Sequence, residues 1–549
     1  MTVQTAAGAL SAVRGGGTLT ARESIEQEGR RMPQYLSPGV YVEEVSSGSR
    51  PIEGVGTAVA AFVGAAPTGP LNTPTLVTNW AQYTRLFGEI VEGSYLGHAV
   101  YGYFLNGGGS CYIVRVGPDG AADSPVPRAA AELPAARAEG SEASGGYRIS
   151  ALEPGPAADG LTVEVTPIEE EGSDDAFKLV VKRGAEVLEE FDRVTAKRGR
   201  QNVVSVVNAR STLIRIEEAQ GGAGTRPEAG SVELRGGSAP VQAAPSRPMS
   251  PEDYVGNPAD RTGFGGLEAI DVVTMVSVPD LMAAYQHGMI DLDGVQAVQL
   301  AMIAHCELMG DRVAILDPPP GLNAQQVREW RIDKAGYDSK QACLYWPWIS
   351  VFDPATGRNV DVPPSGHMAG IWGRNDNTRG VHKAPANEVI RGAVSVALNI
   401  TKNEHDLLNP NGINCLRSFP ARGIRVWGAR TLSSDPEWRY LNVRRLFNYL
   451  EKSILTGTDW VVFEPNDIML WAKIRRTIAS FLAVEWRKGA LFGVTPDEAF
   501  YVKCDDETNP SETIDLGQVI CEIGVAPVKP AEFVVFRLSQ FSGGTSLLE

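Results

Sequence analysis

The sequence lacks the motifs that mark several large classes of enzyme and membrane protein. It contains no G-x-x-x-x-G-K-[ST] phosphate loop and no G-x-S-x-G nucleophile elbow. No stretch approaches the roughly 20 apolar residues that span a bilayer. Residues 1–31 have no apolar core of the length that a signal peptide needs. The sequence therefore predicts no P-loop nucleotide chemistry, no direct membrane insertion and no secretion through a signal peptide.

Cysteine and histidine are scarce, with six residues of each. The cysteines stand at positions 111, 306, 343, 415, 504 and 521 without a C-x-x-C pair. This pattern is typical of reduced, mostly buried thiols in a cytoplasmic protein. The histidines are dispersed, and the adjacent pair His305-Cys306 would point to different faces of a helix, which disfavours shared ligation. We expect no metal site and no cofactor.

Positive charge is also in short supply, because the formal net charge of the 549 residues is −16. Nucleic-acid binding draws most of its affinity from lysine and arginine, so no nucleic-acid partner is predicted. Hydrophobic content of 43% and charged content of 21% are values of a globular protein. A chain of this length has room for three or four domains, each with its own core.

The last apolar segment, Ala531–Phe541, predicts a β-strand in need of partners. Its β-branched and aromatic run suits a strand covered on both faces. The apolar side chains that would be covered are those of Phe533, Val534, Val535, Phe536 and Leu538. Pro530 just before the run can neither continue a helix nor donate along a ladder. The strand is therefore expected to stand off from the preceding domain on an extended arm.

A second isolated strand is predicted near the front, at Gly39–Val45. Its apolar positions are Val40, Tyr41, Val42 and Val45. A chain with a lone strand at each end can pair the two as ordinary edge strands of one sheet. Alternatively, it can lend them to neighbouring copies by strand addition. The residues alone leave both readings open.

The pattern between these strands predicts an α/β (α+β multidomain) fold. At Gly117-Pro118 the composition changes abruptly to Ala, Gly, Pro and Glu, which indicates an inserted, mostly β surface domain. From Asp271 onwards strands alternate with helices, which predicts right-handed crossovers and a largely parallel sheet. The expected parts are a flexible extension (1–34), the first strand and first part of the core (35–118), the insert (119–254), an α/β core (255–400), a C-terminal α/β domain (401–528) and the arm (529–549).

The C-terminal domain has the most regular pattern. One helix is predicted to begin at Ser434 or Asp435 and to end near Gly457, followed by a strand at Trp460–Glu464. A longer helix is expected from Asp467 to Lys488. Its inward stripe comprises Trp471, Ile474, Ile478, Phe481 and Leu482. Strands are predicted at 500–504 and 519–526.

This domain reverses the charge of the chain locally. Between Pro436 and Gly489 nine basic residues stand against six acidic ones, a local charge of +3. Those on or next to the long helix are Lys473, Arg475, Arg476, Arg487 and Lys488. They form either an ordinary solvated face or a docking surface for an acidic partner, in which complementary charge fixes orientation.

Only one stretch suggests an active site. His367 and His382 flank a predicted Gly-rich loop with clustered titratable groups. The loop also holds Arg374, Asp376, Asn377 and Arg379. An α/β hydrolase-like enzyme using this loop is the competing functional class, against a loop that is hydrogen-bonded for structural reasons.

Several segments, in order, resemble the tail-sheath proteins of contractile phage tails and phage-tail-like injection systems. They are Ser37–Glu44 (SPGVYVEE), Thr57–Gly64 with its Pro67–Pro70 turn, Phe104–Val116 (FLNGGGSCYIVRV), Val362–Asn387 (VPPSGHMAGIWGRNDNTRGVHKAPAN), Leu408–Asn414, Gly423–Leu432 (GIRVWGARTL) and Asn442–Leu446 (NVRRL). Together they cover most of 35–118 and 255–545, and leave out the N-terminal extension and the insert.

The resemblance implies a structural subunit rather than an enzyme. Such subunits form a helical homopolymer of stacked rings around an inner tube protein, and contraction drives the tube through a target envelope. Baseplate and tail-terminator or cap proteins are the other implied partners, and the implied location is a tail-like particle assembled in the cytoplasm of the producing bacterial cell. Terminal arms in this family add strands to a neighbour's C-terminal domain, which here implies exchange of Gly39–Val45 and Ala531–Phe541. A paralogue confined to the baseplate end is the alternative within the family.

We further expect the basic residues of the long helix to contact an acidic tube surface, so that the C-terminal domain lies next to the tube.

Overall fold

The computed structural model divides into two compact units, Met1–Ser49 and Arg50–Glu549. The described residues all belong to the second unit. They are 51–117 and 249–538 and, between these, 128–134, 146–152, 159–168, 176–184, 186–197, 199, 201–218 and 226–236. The predicted strand at Gly39–Val45 and the end of the arm beyond residue 538 lie outside the described residues.

The first segment contains two strands, then two helices, then a third strand. Its elements are β1 (Val59–Gly64), β2 (Thr75–Val77), α1 (Trp80–Phe87), α2 (Leu96–Asn106) and β3 (Ser110–Arg115). Helix α1 begins where the Asn79 side chain accepts a hydrogen bond from the Gln82 amide. Gly107, in the left-handed region at φ 107°, ends α2 and turns the chain into β3.

The biased segment forms two antiparallel sheets with a core of their own. Its elements are β4 (Ala130–Pro134), β5 (Gly146–Ala151), β6 (Leu161–Pro167), β7 (Ala176–Arg183), β8 (Glu186–Thr195), α3 (Val203–Arg210), β9 (Ile214–Glu218) and β10 (Gly230–Glu233). The strand orders are β10-β6-β7-β8 and β4-β5-β9. The described part of this segment is therefore mostly β, as its short alternating stretches predict.

The third segment supplies most of a large sheet. Its elements are α4 (Pro251–Val255), β11 (Met275–Ser277), α5 (Asp280–Gln286), α6 (Leu292–Met309), β12 (Val313–Leu316), α7 (Ala324–Glu329), β13 (Ala342–Trp346), β14 (Ile349–Asp353), β15 (Arg358–Val362), α8 (Ser365–Arg379), β16 (Ala393–Val396), α9 (Lys402–Leu408), β17 (Ile413–Phe419) and β18 (Gly423–Val426). Strands β14, β15 and β16 form a separate small sheet.

The large sheet has eight strands in the order β18-β17-β13-β12-β11-β1-β3-β2. The six inner strands run parallel to their neighbours, and only the two edge strands are antiparallel. Helix α6 packs on one face, while α2 and α8 pack on the other. The prediction of a largely parallel sheet is confirmed, and its strands are apolar on both faces because helices cover both.

The last segment has a further core, built on two long helices. Its elements are α10 (Leu441–Gly457), α11 (Ile468–Arg487), α12 (Pro496–Ala499), β19 (Phe500–Lys503), α13 (Ser511–Asp515) and β20 (Glu522–Val525). The predicted start and inward stripe of the long helix are confirmed. The Asp467 side chain caps α11 by accepting a hydrogen bond from Leu470 N at 2.7 Å, and all five stripe residues are buried.

Two local predictions in this segment are wrong. Ser434 does not cap a helix, because its amide and hydroxyl donate to Asp338 at 2.9 and 2.6 Å, and α10 begins only at Leu441. The predicted strand at Trp460–Glu464 is a 3₁₀ turn over Asp459–Val461, and Phe463 has a left-handed φ of 69°. A β-rich composition does not form a strand where no neighbouring strand pairs with it.

The predicted Gly-rich loop after His367 is also wrong, since these residues form α8. Gly366 and Gly370 lie one turn apart where α8 crosses α2. A Cβ on Gly370 would come within 2.3 Å of the Tyr103 carbonyl oxygen, and one on Gly366 within 2.4 Å of Ala99. The glycines are therefore required by close helix packing, a tertiary cause that makes a helix resemble a loop in sequence.

Candidate assembly interfaces

The chain after β20 is held against the rest of the molecule by several contacts as far as Glu532. The Val528 carbonyl accepts a hydrogen bond from Asn442 Nδ2 at 3.1 Å. Four residues later, Glu532 Oε1 accepts from Arg430 Nε at 3.0 Å, and a second contact joins the other carboxylate oxygen to the guanidinium. Arg430 is buried, and the hydrogen bonds that it donates to Glu532 raise its pKa. Glu532 is therefore the last firmly held residue in the described part of the arm.

The described residues of the arm beyond Glu532, 533–538, are mostly apolar and exposed. Residues 533–538 belong to no strand and pair with none of the described strands. The exposed fractions are 75% for Phe533, 69% for Val534, 78% for Val535, 84% for Phe536 and 98% for Leu538. Pairing as an edge strand with the described part of the chain is thus not observed. Large exposed apolar segments of this kind mark interaction sites.

A small sheet with open edges lies in the same C-terminal segment. Strands β19 and β20 pair antiparallel from Phe500↔Val525 to Lys503↔Glu522. Neither strand has a second neighbour among the described residues. An isolated two-stranded sheet is only marginally stable in water, and its outer N–H and C=O groups are a template for a further strand. This sheet can therefore accept a strand on either side.

The five basic residues predicted to contact a tube do not form one surface. Lys473 Nζ stands 3.9 Å above the Trp460 ring, Arg475 donates to the Cys504 carbonyl at 2.8 Å, and Lys488 pairs with Glu485 at 2.7 Å. By contrast, Arg476 and Arg487 lie on the outward side of α11, opposite the buried stripe, and are exposed. Within the described part of the chain neither makes an ion pair or a side-chain hydrogen bond. Among the five, these two are the exposed residues without a side-chain partner in the described part of the chain.

An apolar patch surrounds the connection between α10 and α11. Its members are Leu455, Val462, Phe463, Ile468 and Met469, whose exposed fractions run from 64% to 102%. Patches of large apolar side chains are rare on monomeric surfaces and indicate contact with another molecule. The sequence does not indicate this patch, because the run that contains Val462 and Phe463 predicts a strand.

The residues of the predicted active site are brought together only in part and are used in structural contacts. Asp376 and Arg445 form a buried two-pronged pair at 2.9 and 2.6 Å, which joins α8 to α10. Arg374 donates to the carbonyls of Asn106 and Val389 at 3.0 and 2.8 Å. Asn377 and Arg379 are exposed at the end of α8, and His382 is half-buried beyond it.

His367 is enclosed in the core rather than open to a substrate. Only 2% of its surface is exposed, and burial lowers its pKa to about 3, so the ring is neutral at physiological pH. In the described part of the chain no group of three or more His, Cys, Asp or Glu residues is arranged to hold a metal ion. None of its helices is both long and apolar enough to cross a membrane.

Comparison with known families gives two adjacent matches. The family model described as phage tail sheath protein central domain matches residues 273–432. The model described as phage tail sheath C-terminal domain matches residues 433–541. The second match ends inside the arm and includes both α11 and the open sheet.

Curated relatives carry the same description. The tail sheath protein of Burkholderia phage BcepMu is 23% identical over 523 residues, which covers 91% of this chain and 95% of that protein. The tail sheath protein of Vibrio phage KVP40 is 26% identical over 250 residues, or 41% of this chain and 36% of its own length. A putative prophage major tail sheath protein of Pseudomonas aeruginosa is 27% identical, over 44% of this chain and 61% of its own length. The matches thus span between about a third and three fifths of the latter two relatives.

Solved structures share the fold. The PVC sheath complex of an extracellular contractile injection system, in the contracted state, has a TM-score of 0.55 at 22% identity, with 92% of this chain and 98% of that chain covered. The contracted helical sheath of the anti-feeding prophage gives 0.54 at 24% identity, covering 92% and 100%. The mixed α/β architecture is therefore that of sheath structures.

Proposed function

The chain belongs to the phage tail sheath family, and we propose that it is the structural subunit of a contractile sheath. In this proposal the subunits polymerise as stacked rings around an inner tube and contract to drive the tube through a target envelope. Assembly takes place in the cytoplasm of the producing cell, which is compatible with the six free cysteines. Baseplate and cap proteins terminate the polymer at its two ends.

The observation that carries the proposal is that strands of the C-terminal segment lack further pairing partners among the described residues. The arm has an apolar strand sequence without a described partner, and the β19–β20 sheet has open edges. Strand addition satisfies both at once, because an added strand gains main-chain hydrogen bonds and side-chain cover. A second copy supplies the arm, and the strand at Gly39–Val45 of another copy is the proposed further partner. Backbone pairing of this kind keeps subunits connected while their side-chain contacts reorganise.

The proposed tube contact lies on the outward side of α11. Arg476 and Arg487 supply the main attraction for an acidic tube surface, and Lys473, Arg475 and Lys488 flank them with charges already engaged within the chain. Exposed charges steer and orient association more than they add affinity. The contact should therefore weaken as ionic strength rises.

Electron microscopy of the protein co-expressed with its tube protein tests the proposal. We expect hollow cylinders of regular helical repeat that enclose a tube; compact particles without a repeat would contradict a sheath. The double variant Arg476→Glu/Arg487→Glu should still form sheaths but should lose the enclosed tube. The matched control is Arg358→Glu/Lys402→Glu, which reverses two exposed charges of the third segment. Equal tube occupancy in both variants would refute the α11 contact.

A subunit confined to the baseplate end is the second candidate within the family. The anti-feeding prophage baseplate is also a structural neighbour, with a TM-score of 0.53 at 24% identity. Gold-labelled antibody on intact particles separates the two. Label along the whole tail indicates the bulk sheath, and label restricted to one end indicates the paralogue.

A further inference from the structure

Two cysteines face each other at the end of the β19–β20 sheet. The ladder ends with Lys503 opposite Glu522, so the next positions in the same antiparallel register are Cys504 and Cys521. Cross-strand neighbours point to the same face, with Cβ atoms roughly 4.5–5.5 Å apart. The register therefore places the two cysteines opposite each other, and each of them perturbs the pKa of the other.

The residues on the other side of the pair are fixed by Asn509. Its side-chain nitrogen donates to the carbonyls of Asp505 and Ile520, each at 3.0 Å, and its oxygen accepts from Ile520 N at 2.6 Å. The same nitrogen lies 3.9 Å from the Cys504 sulfur. Asn509 is 2% exposed. The β19–β20 ladder and the hydrogen bonds of Asn509 therefore fix the backbone on both sides of the two cysteines before any disulfide forms.

We propose that Cys504 and Cys521 are an oxidation site that closes to an intrachain disulfide when the protein meets a small disulfide oxidant. The half-buried Cys521 thiolate attacks oxidised glutathione, and one glutathione thiol leaves. Cys504 then attacks the mixed disulfide and releases the second. Two protein thiols are oxidised, one glutathione disulfide is reduced to two thiols, and the two thiol protons pass to the glutathione thiolates or to solvent.

Cys521 is the member of the pair that an oxidant can reach, because it is partly exposed whereas Cys504 is buried. Cys111, Cys306, Cys343 and Cys415 are fully buried in the cores of the large sheet, out of reach of an oxidant in the folded chain. Burial also raises the pKa of Cys504 and raises that of Cys521 to about 12. The thiolate fraction is therefore small, and oxidation should accelerate as pH rises.

The disulfide would close the loop formed by residues 505–520 and tie β19 to β20 at one end. Cross-links of this kind restrict the unfolded chain and so favour the paired state. Under the proposed sheath function, on which this consequence rests, the stapled sheet is the acceptor of donated strands. A particle released from a reducing cytoplasm into an oxidising medium would then have its subunit connections reinforced.

Thiol counting on the purified full-length chain tests the proposal. After incubation with oxidised glutathione at about pH 8.5, with excess oxidant removed, thiol titration in denaturant should fall from six to four per chain. Cleavage after Glu507 and Glu512 should leave the two cysteine peptides joined until a reductant is added. Six remaining thiols, a different pair, or a disulfide between chains would each overturn the proposal.

Three variants separate a positioned cysteine pair from chance reactivity. Cys521→Ser should begin with five thiols and form no intrachain bond, whereas Cys415→Ala should begin with five and fall to three. Asn509→Ala should lower the equilibrium ratio of disulfide to dithiol in a glutathione buffer about tenfold, because positioning hydrogen bonds are lost. An unchanged ratio would show that Asn509 does not position the pair. These assays do not require polymerisation, so their outcome is independent of the sheath proposal.

Discussion

Strand β13 and the arm have similar residues and opposite surroundings. Strand β13 reads Ala-Cys-Leu-Tyr-Trp, and all five residues are buried between β12 and β17. Alternate side chains enter the two cores, with Leu344 on one face and Tyr345 on the other. The arm reads Phe-Val-Val-Phe over 533–536, and every one of these side chains is at least 69% exposed.

The difference shows that an apolar strand can need neighbouring strands and covering side chains that its own chain does not supply. Strand β13 obtains two neighbouring strands and two helical layers from within the chain. The described chain offers the arm no neighbour, but it does offer an open sheet to which an arm from elsewhere can add. Burial in the first case stabilises the fold, and in the second it would stabilise the polymer.

Removing the arm should give the largest effect on assembly and almost none on folding. We expect a chain truncated after Glu532 to remain a folded monomer and to form no sheath, because the donated strand is gone. Truncation at this point keeps the Arg430–Glu532 contact, so that no buried charge is left unpaired. Size-exclusion chromatography and electron microscopy measure the outcome. Sheaths of normal length from the truncated chain would contradict strand donation.

Truncating one side chain in β13 and one in the arm should change the stability of the monomer by very different amounts. Leu344→Ala should lower the free energy of unfolding by about 2–5 kcal/mol, since it leaves a cavity between two packed layers. Val535→Ala should change it by less than about 0.5 kcal/mol in the monomer, because the side chain is exposed. Urea unfolding provides the measurement. A large monomer cost for Val535→Ala would mean that the arm folds back onto its own chain.

Acid should weaken the enclosed core through His367. The unfolded chain takes up a proton near pH 6.5, whereas burial holds the folded pKa at about 3. The unfolded state therefore binds more protons between these values, and this stability is lost as pH falls. His367 should account for about 2 kcal/mol of loss at pH 5. Asp280 and Asp317, whose pKa values burial raises to about 6 and about 7, act in the opposite direction.

Comparing the unchanged protein with His367→Gln isolates the contribution of His367 to the pH dependence of stability, since Asp280 and Asp317 are present in both. We expect the variant to lose stability less steeply between pH 6.5 and 4. Parallel pH profiles for the two proteins would show that His367 takes up its proton in the folded state as well.

Loosening the base of the arm should have the smallest effect. Glu532→Gln keeps the shape of the side chain but removes the charge that faces buried Arg430, and should cost about 1 kcal/mol of monomer stability. Glu507→Gln is the matched control, because its pair with Lys503 lies on the surface and contributes little. Equal costs in the two variants would show that Glu532 does not anchor the arm.

The sequence predicts well what depends on local periodicity. The α11 stripe, the Asp467 cap and the parallel sheet follow from apolar spacing and capping chemistry, and the structure confirms them. What it fails to predict depends on contacts between distant segments. Gly366 and Gly370 resemble a loop until α2 is placed against them, and Asp376 resembles a catalytic group until Arg445 reaches it.

The candidate sites likewise comprise some with a local signal in the sequence and some that depend on contacts between distant segments. The arm can be identified because an apolar strand sequence directly follows a proline. Which basic residues of α11 make contacts within the chain depends instead on Trp460, Cys504 and Glu485. The cysteine pair is separated by many residues and has no motif. The only available signal is that Cys504 ends one predicted strand and Cys521 lies near the start of the next, so that the two would meet if those strands paired antiparallel.

The most direct test of strand donation is a cross-link that records which copy holds the arm. Chains carrying a photo-reactive benzoylphenylalanine in place of Phe536 are prepared with natural nitrogen and with ¹⁵N, mixed before assembly and irradiated in the sheath. We predict cross-links from residue 536 to β19 or β20, with about half of the linked peptides containing one chain of each isotope. Links found only between peptides of the same isotope would place the arm on its own chain and contradict the account.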